Sequence, residues 1–146
     1  MTRIVRIEEL PADQLAELVS ESEQAGLQLV RRLQRDWHSG ANRFDRPGEA
    51  LFAAFDGQRT IGVCGLNIDP YCLLPGVGRV RHLYVLAERR RQLIGSQLVL
   101  EIMFAATNDF DRLRLRTNNP LAARFYENLG FQRCEGDPTA THEREL

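Results

Sequence analysis

Residues 90–96 have the sequence RRQLIGS and stand between two apolar segments, 83–86 (LYVL) and 97–106 (QLVLEIMFAA). The first segment is typical of a strand end, and the second continues a helical face that carries Ile94, Leu98 and Ile102. The first turn of a helix has unpaired backbone N–H groups and a partly positive dipole end, which suits a phosphate. Gly95 would let the main chain approach such a ligand closely. The pattern therefore predicts an anion-binding turn between a strand and a helix.

A second segment, 119–131 (NPLAARFYENLGF), has recognisable signals at both ends of a helix. Asn119 suits the N-cap, Pro120 the first helical position, and Gly130 the left-handed residue after the last turn. An adjacent face carries Tyr126, whose hydroxyl we expect to point along the edge of a sheet. The spacing predicts a buried stripe made of Leu121, Phe125 and Leu129.

Together the two segments resemble the motifs of the GCN5-related N-acetyltransferase (GNAT) superfamily. Its phosphate turn has the pattern Gln/Arg-x-x-Gly-x-Gly/Ala after a strand that ends in Val, which matches Val85, Arg90 and Gly95. Leu93 stands where the family has its first glycine, and we expect it to adopt a helical conformation that keeps its amide available. The later helix of the family has the pattern Asn-x-x-Ala-x-x-x-Tyr followed by Gly-Phe, which matches Asn119, Ala122, Tyr126, Gly130 and Phe131.

The resemblance implies the GNAT fold, an α/β fold in which a central mixed β-sheet has helices on both faces. Its element order is β-α-α-β-β-β-α-β-α-β-β, and we expect one such domain over residues 1–146. Periodicity independently predicts these elements. The expected strands are 2–7, 51–55, 60–67, 78–85, 110–117, 131–134 and 141–146, and the expected helices begin at about 11, 27, 94 and 119.

Composition excludes several classes of protein. The net charge of −1 argues against a protein that coats nucleic acid, although arginines cluster at 89–91 and at 112, 114 and 116. No apolar run has the length of a membrane span, and the N-terminus lacks the apolar stretch of a secretion signal. The three cysteines lack metal-like spacing, so we expect reduced thiols, a cytoplasmic protein and no metal. The sequence therefore predicts neither a nucleic acid nor a membrane partner.

The resemblance implies acetyl-CoA as cosubstrate. In the family, the amides of the turn hold the pyrophosphate, and the preceding strand splays from its neighbour so that main-chain groups bind the pantetheine arm. The Leu83 N–H is expected to donate to the thioester oxygen. The residues assigned to the cofactor are Leu83, Tyr84, Val85, Arg90, Arg91, Gln92, Leu93, Ile94, Gly95, Ser96, Asn119 and Tyr126, with an N-cap role open for Asn119.

Tyr126 is the expected general acid, because a phenol of ordinary pKa, about 10, stays protonated at neutral pH. The family positions for a general base fall on Arg79 and Arg81, which the two-residue period of a strand places on the face of Leu83 and Val85. Arginine stays charged and cannot act as a base. His82 is expected on the opposite face. Water-mediated proton removal with a carboxylate such as Glu49 or Asp69 is then required, and the sequence leaves the choice open.

Arg79 and Arg81 have two interpretations. They bind an anionic group of the acceptor, since guanidinium groups bind carboxylate or phosphate in bidentate geometry, or they pair with carboxylates of neighbouring elements. The leading function is acetyl transfer to a primary amine of a small molecule or peptide. The alternative is an acyl-CoA-binding sensor or interaction module with little or no transfer activity. The resemblance also allows a homodimer formed through the last strands.

Overall fold

The computed structural model describes residues 1–146 and has seven strands and four helices in the expected order. A short 3-10 turn, Ala87–Arg89, precedes the third helix. The helices are α1 (Ala16–Gln24), α2 (Leu29–Ser39), α3 (Ile94–Ala106) and α4 (Pro120–Asn128). The strands are β1 (Thr2–Arg6), β2 (Ala50–Asp56), β3 (Arg59–Ile68), β4 (Val77–Val85), β5 (Arg112–Leu115), β6 (Gln132–Arg133) and β7 (His142–Glu145).

All seven strands form one sheet in the order β1-β2-β3-β4-β5-β7-β6. The pair β4–β5 is parallel and the other pairs are antiparallel, so the expected mixed sheet is confirmed. The parallel pair is possible because α3 crosses between the two strands. None of the four helices is both long and apolar enough to cross a membrane.

Two glycines of β3 show which helices cover which face of the sheet. A Cβ on Gly62 would meet Leu98 of α3 at 3.2 Å, whereas a Cβ on Gly65 would lie 2.5 Å from the ring of Phe44, which follows α2. Tyr84, on the same face as Gly65, donates its hydroxyl to Glu21 of α1 at 2.6 Å. The sheet therefore has an α1/α2 face and an α3 face, and the expected covering of both faces is confirmed.

Strands β4 and β5 pair over only three residues and then part. The last pair of the ladder is Arg79 with Arg114, and residues 80–85 have no partner on this edge of β4. We call the space between the two strands beyond this pair the gap. The splay that the resemblance implies is thus present in the fold.

A β-bulge interrupts β4 on its other edge. Its ladder with β3 passes from Tyr84–Val63 to Arg81–Gly65, so neither His82 nor Leu83 has a partner. His82 has a φ of 60° and takes up the extra residue. Because the bulge shifts the alternation by one, side chains before and after it change faces relative to a regular strand.

The expectation that Arg79 and Arg81 share a face with Val85 is therefore wrong. Val85 pairs with Gly62 and packs on the α3 face, whereas Arg81 pairs with Gly65 on the α1/α2 face. Helix α4 also differs from expectation, since Leu121 is 71% exposed while Ala123 and Tyr126 are buried. The buried face of α4 is therefore rotated about the helix axis relative to the predicted stripe.

Candidate active site

The turn before α3 presents a run of free backbone donors. None of the six N–H groups from Arg91 to Ser96 donates a hydrogen bond within the chain, and the first amide bonded in the helix is Gln97, to the Leu93 carbonyl at 2.9 Å. Three of the six belong to the first turn of α3, where the helix dipole adds partial positive charge. The turn can therefore bind a phosphate through its main chain, as residues 90–96 predict.

The conformation of this turn differs from the sequence expectation at one residue. Leu93 has a φ of 65° and lies in the left-handed region, not in the helical conformation expected of it. Its side chain is 70% exposed, so no burial favours leucine here. The position keeps the conformation that suits the family's glycine, and the leucine adopts it at a cost of about 1–2 kcal/mol.

Gly95 has a more limited role than expected. Its φ is not positive, and an added Cβ would lie 3.5 Å from the Phe125 ring and 3.9 Å from Val85, both ordinary contacts. A single methyl group therefore fits at this position, while a longer side chain must displace Phe125 or extend towards the free amides. The missing side chain makes room between the turn and α4.

The end of β4 directs main-chain groups into the gap. Leu86 N donates to Ile61 O at 2.9 Å, so by antiparallel alternation the N–H and C=O of Tyr84 also face β3 while those of Val85 face away. Arg90 Nε donates to the Val85 carbonyl at 3.0 Å, with its guanidinium over the Tyr84 ring. Val85 thus offers its main chain to the gap, and Tyr84 does not, contrary to the expectation for Tyr84.

Leu83 lies at the bulge, outside the ladder with β3. Because the N–H of Tyr84 faces β3, the N–H of the preceding residue, Leu83, faces away from β3, as an oxyanion donor requires. Helix α4 packs near the end of β4, because Phe125 and Val85 both lie within 4 Å of a Cβ placed on Gly95. Tyr126, the next residue of α4, is buried. Helix α4, which carries Tyr126, thus lies beside the end of β4 that follows the bulge.

The Tyr126 ring is held between two other rings. It packs edge-on against Phe125, with a centroid distance of 5.1 Å, and against Phe131 at 5.5 Å. Its hydroxyl makes no hydrogen bond within the chain. With its pKa raised, Tyr126 is fully protonated at neutral pH and can only donate a proton.

Asn119 caps α4, as its alternative role predicts. Its Oδ1 accepts from Leu121 N at 2.9 Å and from Ala122 N at 3.4 Å. These bonds fix the start of the helix that carries Tyr126. Contact between Asn119 and a cofactor stays a prediction.

The two arginines predicted for the acceptor differ in their surroundings. Arg79 is buried, contacts Asp69 Oδ2 at 3.5 Å and the Thr139 carbonyl, and stacks on Tyr71 at 4.7 Å from the ring centroid. Burial lowers the pKa of Arg79, and Asp69 acts in the opposite direction. Arg81 forms no ion pair, and its hydrogen bond is to Asn67 Oδ1 at 3.5 Å. Arg79 thus has the internal role, and Arg81 retains a free guanidinium.

The carboxylates considered for base catalysis are both held by internal donors. Glu49 accepts from Asn67 Nδ2 and Ile68 N at 2.9 Å each and from Arg46 N at 3.2 Å. Asp69 is buried and accepts from Tyr71 N at 2.8 Å as well as from Arg79. Their bonds fix the start of β2 and the end of β3, and give both residues a structural role on the α1/α2 face.

His82 lies on the α1/α2 face, so the expectation that it faces the other side is wrong. Its ring packs edge-on against Phe44 at 6.2 Å, and Phe44 covers Gly65, the partner of Arg81. Its Nε2 is buried without a hydrogen-bond partner. Burial, and next the charge of Arg81, lower the pKa of His82 to about 4. The imidazole is therefore neutral at pH 7.

Sequence reasoning missed three polar groups on this face: Glu21, Asn67 and Asn42. Glu21 Oε2 accepts from the Tyr84 hydroxyl and from Ala87 N at 3.0 Å, which ties α1 to the end of β4. Asn42 and Asn67 exchange side-chain amide bonds of 2.9 and 3.0 Å. No local pattern signals these contacts, because the partners are 25 to 66 residues apart in the chain.

The family model for the acetyltransferase (GNAT) domain matches residues 47–133, which contain the turn, the gap and α4. The chain belongs to the GNAT family of acetyltransferases. Members of this family use acetyl-CoA or another acyl-CoA. No curated protein sequence matches the chain at a significant level.

Solved GNAT structures resemble the whole chain. A predicted acetyltransferase from Exiguobacterium sp. 255-15 is 32% identical, with a TM-score of 0.89 over 99% of this chain and 93% of its own. A GNAT-family acetyltransferase from Staphylococcus aureus Mu50 is 19% identical, with a TM-score of 0.78 over 100% and 99% of the two chains. An acetyltransferase from Streptococcus agalactiae 2603 is also 19% identical, with a TM-score of 0.77 over 99% and 98%. The latter two show the GNAT fold alone.

The fold also explains Arg114, one of the clustered arginines that could have suggested binding to nucleic acid. Arg114 is buried in β5, with ion pairs to Asp137 and, at 4.0 Å each, to Asp69 and Glu143. It is the neighbour of Arg79 at the last pair before the gap. Arg114 therefore stabilises the closed end of the gap and is not part of a basic surface.

The left-handed Leu93 leads to a stability prediction. We expect Leu93→Gly to unfold at higher urea concentration than Leu93→Ala, with a difference of about 1 kcal/mol, because glycine adopts positive φ without strain. The alanine variant is the matched control, since it loses the same exposed side chain but keeps the Cβ. Equal unfolding free energies of the two variants would contradict the left-handed assignment.

His82 leads to a prediction about pH. Its pKa is about 4 in the folded protein and about 6.5 in the unfolded chain, so the unfolded state binds the proton first. The stability contribution of the neutral ring is complete above the unfolded pKa and declines as pH falls towards the folded one. Between pH 7 and pH 5 this amounts to about 2 kcal/mol.

The variant His82→Asn should remove this part of the pH dependence, and asparagine tolerates a φ of 60°. Urea unfolding at pH 7 and pH 5 measures it, and subtracting the two proteins cancels the other titrating groups. The same loss of stability in both proteins would show that His82 is not buried as a neutral ring.

Proposed function

We propose that this protein transfers an acetyl group directly from acetyl-CoA to a primary amine of a small molecule or peptide. The observation that carries the proposal is the run of six free N–H groups from Arg91 to Ser96, placed beside an open strand edge. A pyrophosphate on the turn and a pantetheine arm in the gap fit these two features. The Val85 main chain is the group placed to bond the arm's amides, in exchange for the internal bond from Arg90.

The reaction needs a polarised carbonyl, a neutral amine and a proton for the departing thiolate. A bond forms between the amine nitrogen and the acetyl carbon, and the carbon–sulfur bond breaks. The Leu83 N–H at the bulge supports the developing charge on the carbonyl oxygen. Tyr126, which its raised pKa keeps protonated before the reaction, gives its proton to the departing sulfur. The proton that the nitrogen loses on becoming an amide returns through water to the Tyr126 oxygen.

The amine is the nucleophile only after it has lost a proton. The α1/α2 face offers no unbonded carboxylate on β4, where the positions nearest the bulge are Arg79, Arg81 and His82. The positive charge of Arg81 disfavours an ammonium group nearby and so lowers its pKa. We therefore assign proton removal to water that reaches the gap.

A charged substitution in the turn tests cofactor binding. We expect Gly95→Asp to weaken CoA binding by about ten- to a hundredfold, because a carboxylate would stand beside the free amides and repel the pyrophosphate. Gly95→Asn is the matched control: it meets Phe125 in the same way but carries no charge. Isothermal titration calorimetry with CoA measures both variants. If the aspartate variant binds CoA as tightly as the asparagine variant, the turn does not hold the phosphates.

A second test addresses the general acid. We expect Tyr126→Phe to lower kcat by about ten- to a thousandfold while the Michaelis constant for acetyl-CoA changes little, because the ring still packs and only the proton donor is lost. CoA release against a panel of amines measures the rates.

Two results would argue against parts of the proposal. A fully active phenylalanine variant would assign Tyr126 a packing role, with solvent protonating the thiolate. CoA binding without release of CoA from acetyl-CoA for any amine would favour the acyl-CoA sensor over the transferase.

A further inference from the structure

Three arginines crowd the closed end of the gap on the α1/α2 face, and two of them are neutralised. Arg79 is held by Asp69, the Thr139 carbonyl and the Tyr71 ring, and Arg114 by Asp137 with Asp69 and Glu143 further away. Arg81 alone of the three has no ion pair. Its guanidinium has one hydrogen bond, at 3.5 Å to Asn67, which leaves most of its donors free.

Arg81 is nevertheless supported by a fixed group. Asn67 exchanges two amide bonds with Asn42 and donates to Glu49 at 2.9 Å, and it is itself buried. The Asn67 Oδ1 that accepts from Arg81 therefore cannot turn away. A guanidinium held at one corner and free at the others is preorganised to bind a second group.

The positive charge of Arg81 shifts the pKa of neighbouring groups. It lowers the pKa of Arg79, after the larger effect of burial, and also that of the adjacent His82. The charged groups that face His82 are Arg81 from β4 and Arg32 and Asp36 from α2, and Asp36 only partly offsets the two arginines. The local field is thus positive, two residues from the Leu83 amide at the bulge.

We propose that the acceptor carries an anionic group, a carboxylate or a phosphate, that binds the free guanidinium of Arg81 and so places its amine at the gap. The inference rests on the proposed function. A guanidinium binds either anion with two parallel hydrogen bonds, and the pair compensates the charge that the site leaves unmatched. The same guanidinium would repel a cationic polyamine.

Matched acceptors test the substrate class. The panel contains L-alanine with L-alaninamide, L-aspartate with L-asparagine amide, and phosphoethanolamine with ethanolamine, each at saturating acetyl-CoA. We expect the anionic member of at least one pair to have a kcat/KM ten- to a hundredfold higher, as measured by CoA release. The carboxylate and phosphate pairs show which anion is the natural one. Higher kcat/KM for the neutral members or for spermidine would overturn the proposal.

Two variants show whether Arg81 is responsible. Arg81→Gln should lower kcat/KM about ten- to a hundredfold more for the anionic acceptor than for its neutral counterpart, and should leave CoA affinity unchanged. Arg133→Gln, an exposed arginine on β6, removes the same charge elsewhere and should change neither acceptor. An unchanged preference in Arg81→Gln would overturn the assignment.

A measurement without turnover separates this inference from the proposed function. In the CoA-bound protein, an anion on Arg81 removes part of the field on His82, so its pKa, followed by proton NMR of the ring, should rise with L-alanine or phosphoethanolamine and not with L-alaninamide or ethanolamine. Acetylation of amines without this preference contradicts the inference alone. CoA binding with no acetylation contradicts the proposed function alone, and the NMR titration then decides the anion site: no rise with either anion overturns it.

Discussion

The parting of β4 and β5 after Arg79 and Arg114 is the constraint on which the rest of the site depends. Adjacent parallel strands gain a hydrogen bond with each further residue, so an open edge inside a sheet persists only if something stops the ladder. Here β5 ends at Leu115 and β4 bulges at His82, and a charged cluster stands at the last pair. Asp69, from the end of the β3–β4 hairpin, and Asp137, from the β6–β7 connection, hold the two arginines. Four segments of chain thus meet where the strands separate.

Arginine suits this cluster for a geometric reason. Arg79 meets a carboxylate, a backbone carbonyl and an aromatic ring at once, which requires a planar group with donors at its edge and a stacking face. A lysine ammonium has neither the spread of donors nor the flat face. The buried charges are compensated within the cluster, as burial requires. The cluster is therefore a structural clamp, while the next arginine along β4 stays unpaired.

The bulge in β4 separates the arginine side chains on the α1/α2 face from the end of the strand, where the main chain of Val85 faces the gap. Before it, Arg79 and Arg81 project towards α1 and α2; after it, Val85 projects towards α3 and frees its main chain for the gap. The extra residue, His82, has a positive φ and a buried Nε2 without a hydrogen-bond partner, and the switch of faces occurs within two residues. A regular strand would have placed the arginine side chains and the Val85 side chain on one face.

Sequence reasoning reached the elements, the turn and the cap of α4 because these depend on local signals, and it reached the fold through the resemblance to the GNAT motifs. Element order, the N-cap Asn119 and the free amides after Arg90 follow from residues close in the chain. It failed at His82 and Val85, because a bulge has no marker when its extra residue is not glycine. The left-handed conformation of Leu93 was missed because leucine rarely adopts it, although the GNAT pattern has a glycine at this position.

The hydrogen bonds between side chains of the α1/α2 face could not be predicted from the sequence for a different reason. Glu49 and Asn67 are 18 residues apart, and Tyr84 and Glu21 are 63 apart, so only the folded sheet brings them together. These contacts decide which arginine is neutralised and which is free. Arg79 and Arg81 are equivalent by periodicity but have different surroundings. Arg79 is paired with the carboxylate of Asp69, whereas Arg81 has only a hydrogen bond to the amide of Asn67. The electrostatics around Arg79 and Arg81 therefore depends on the fold and not on the sequence of β4 alone.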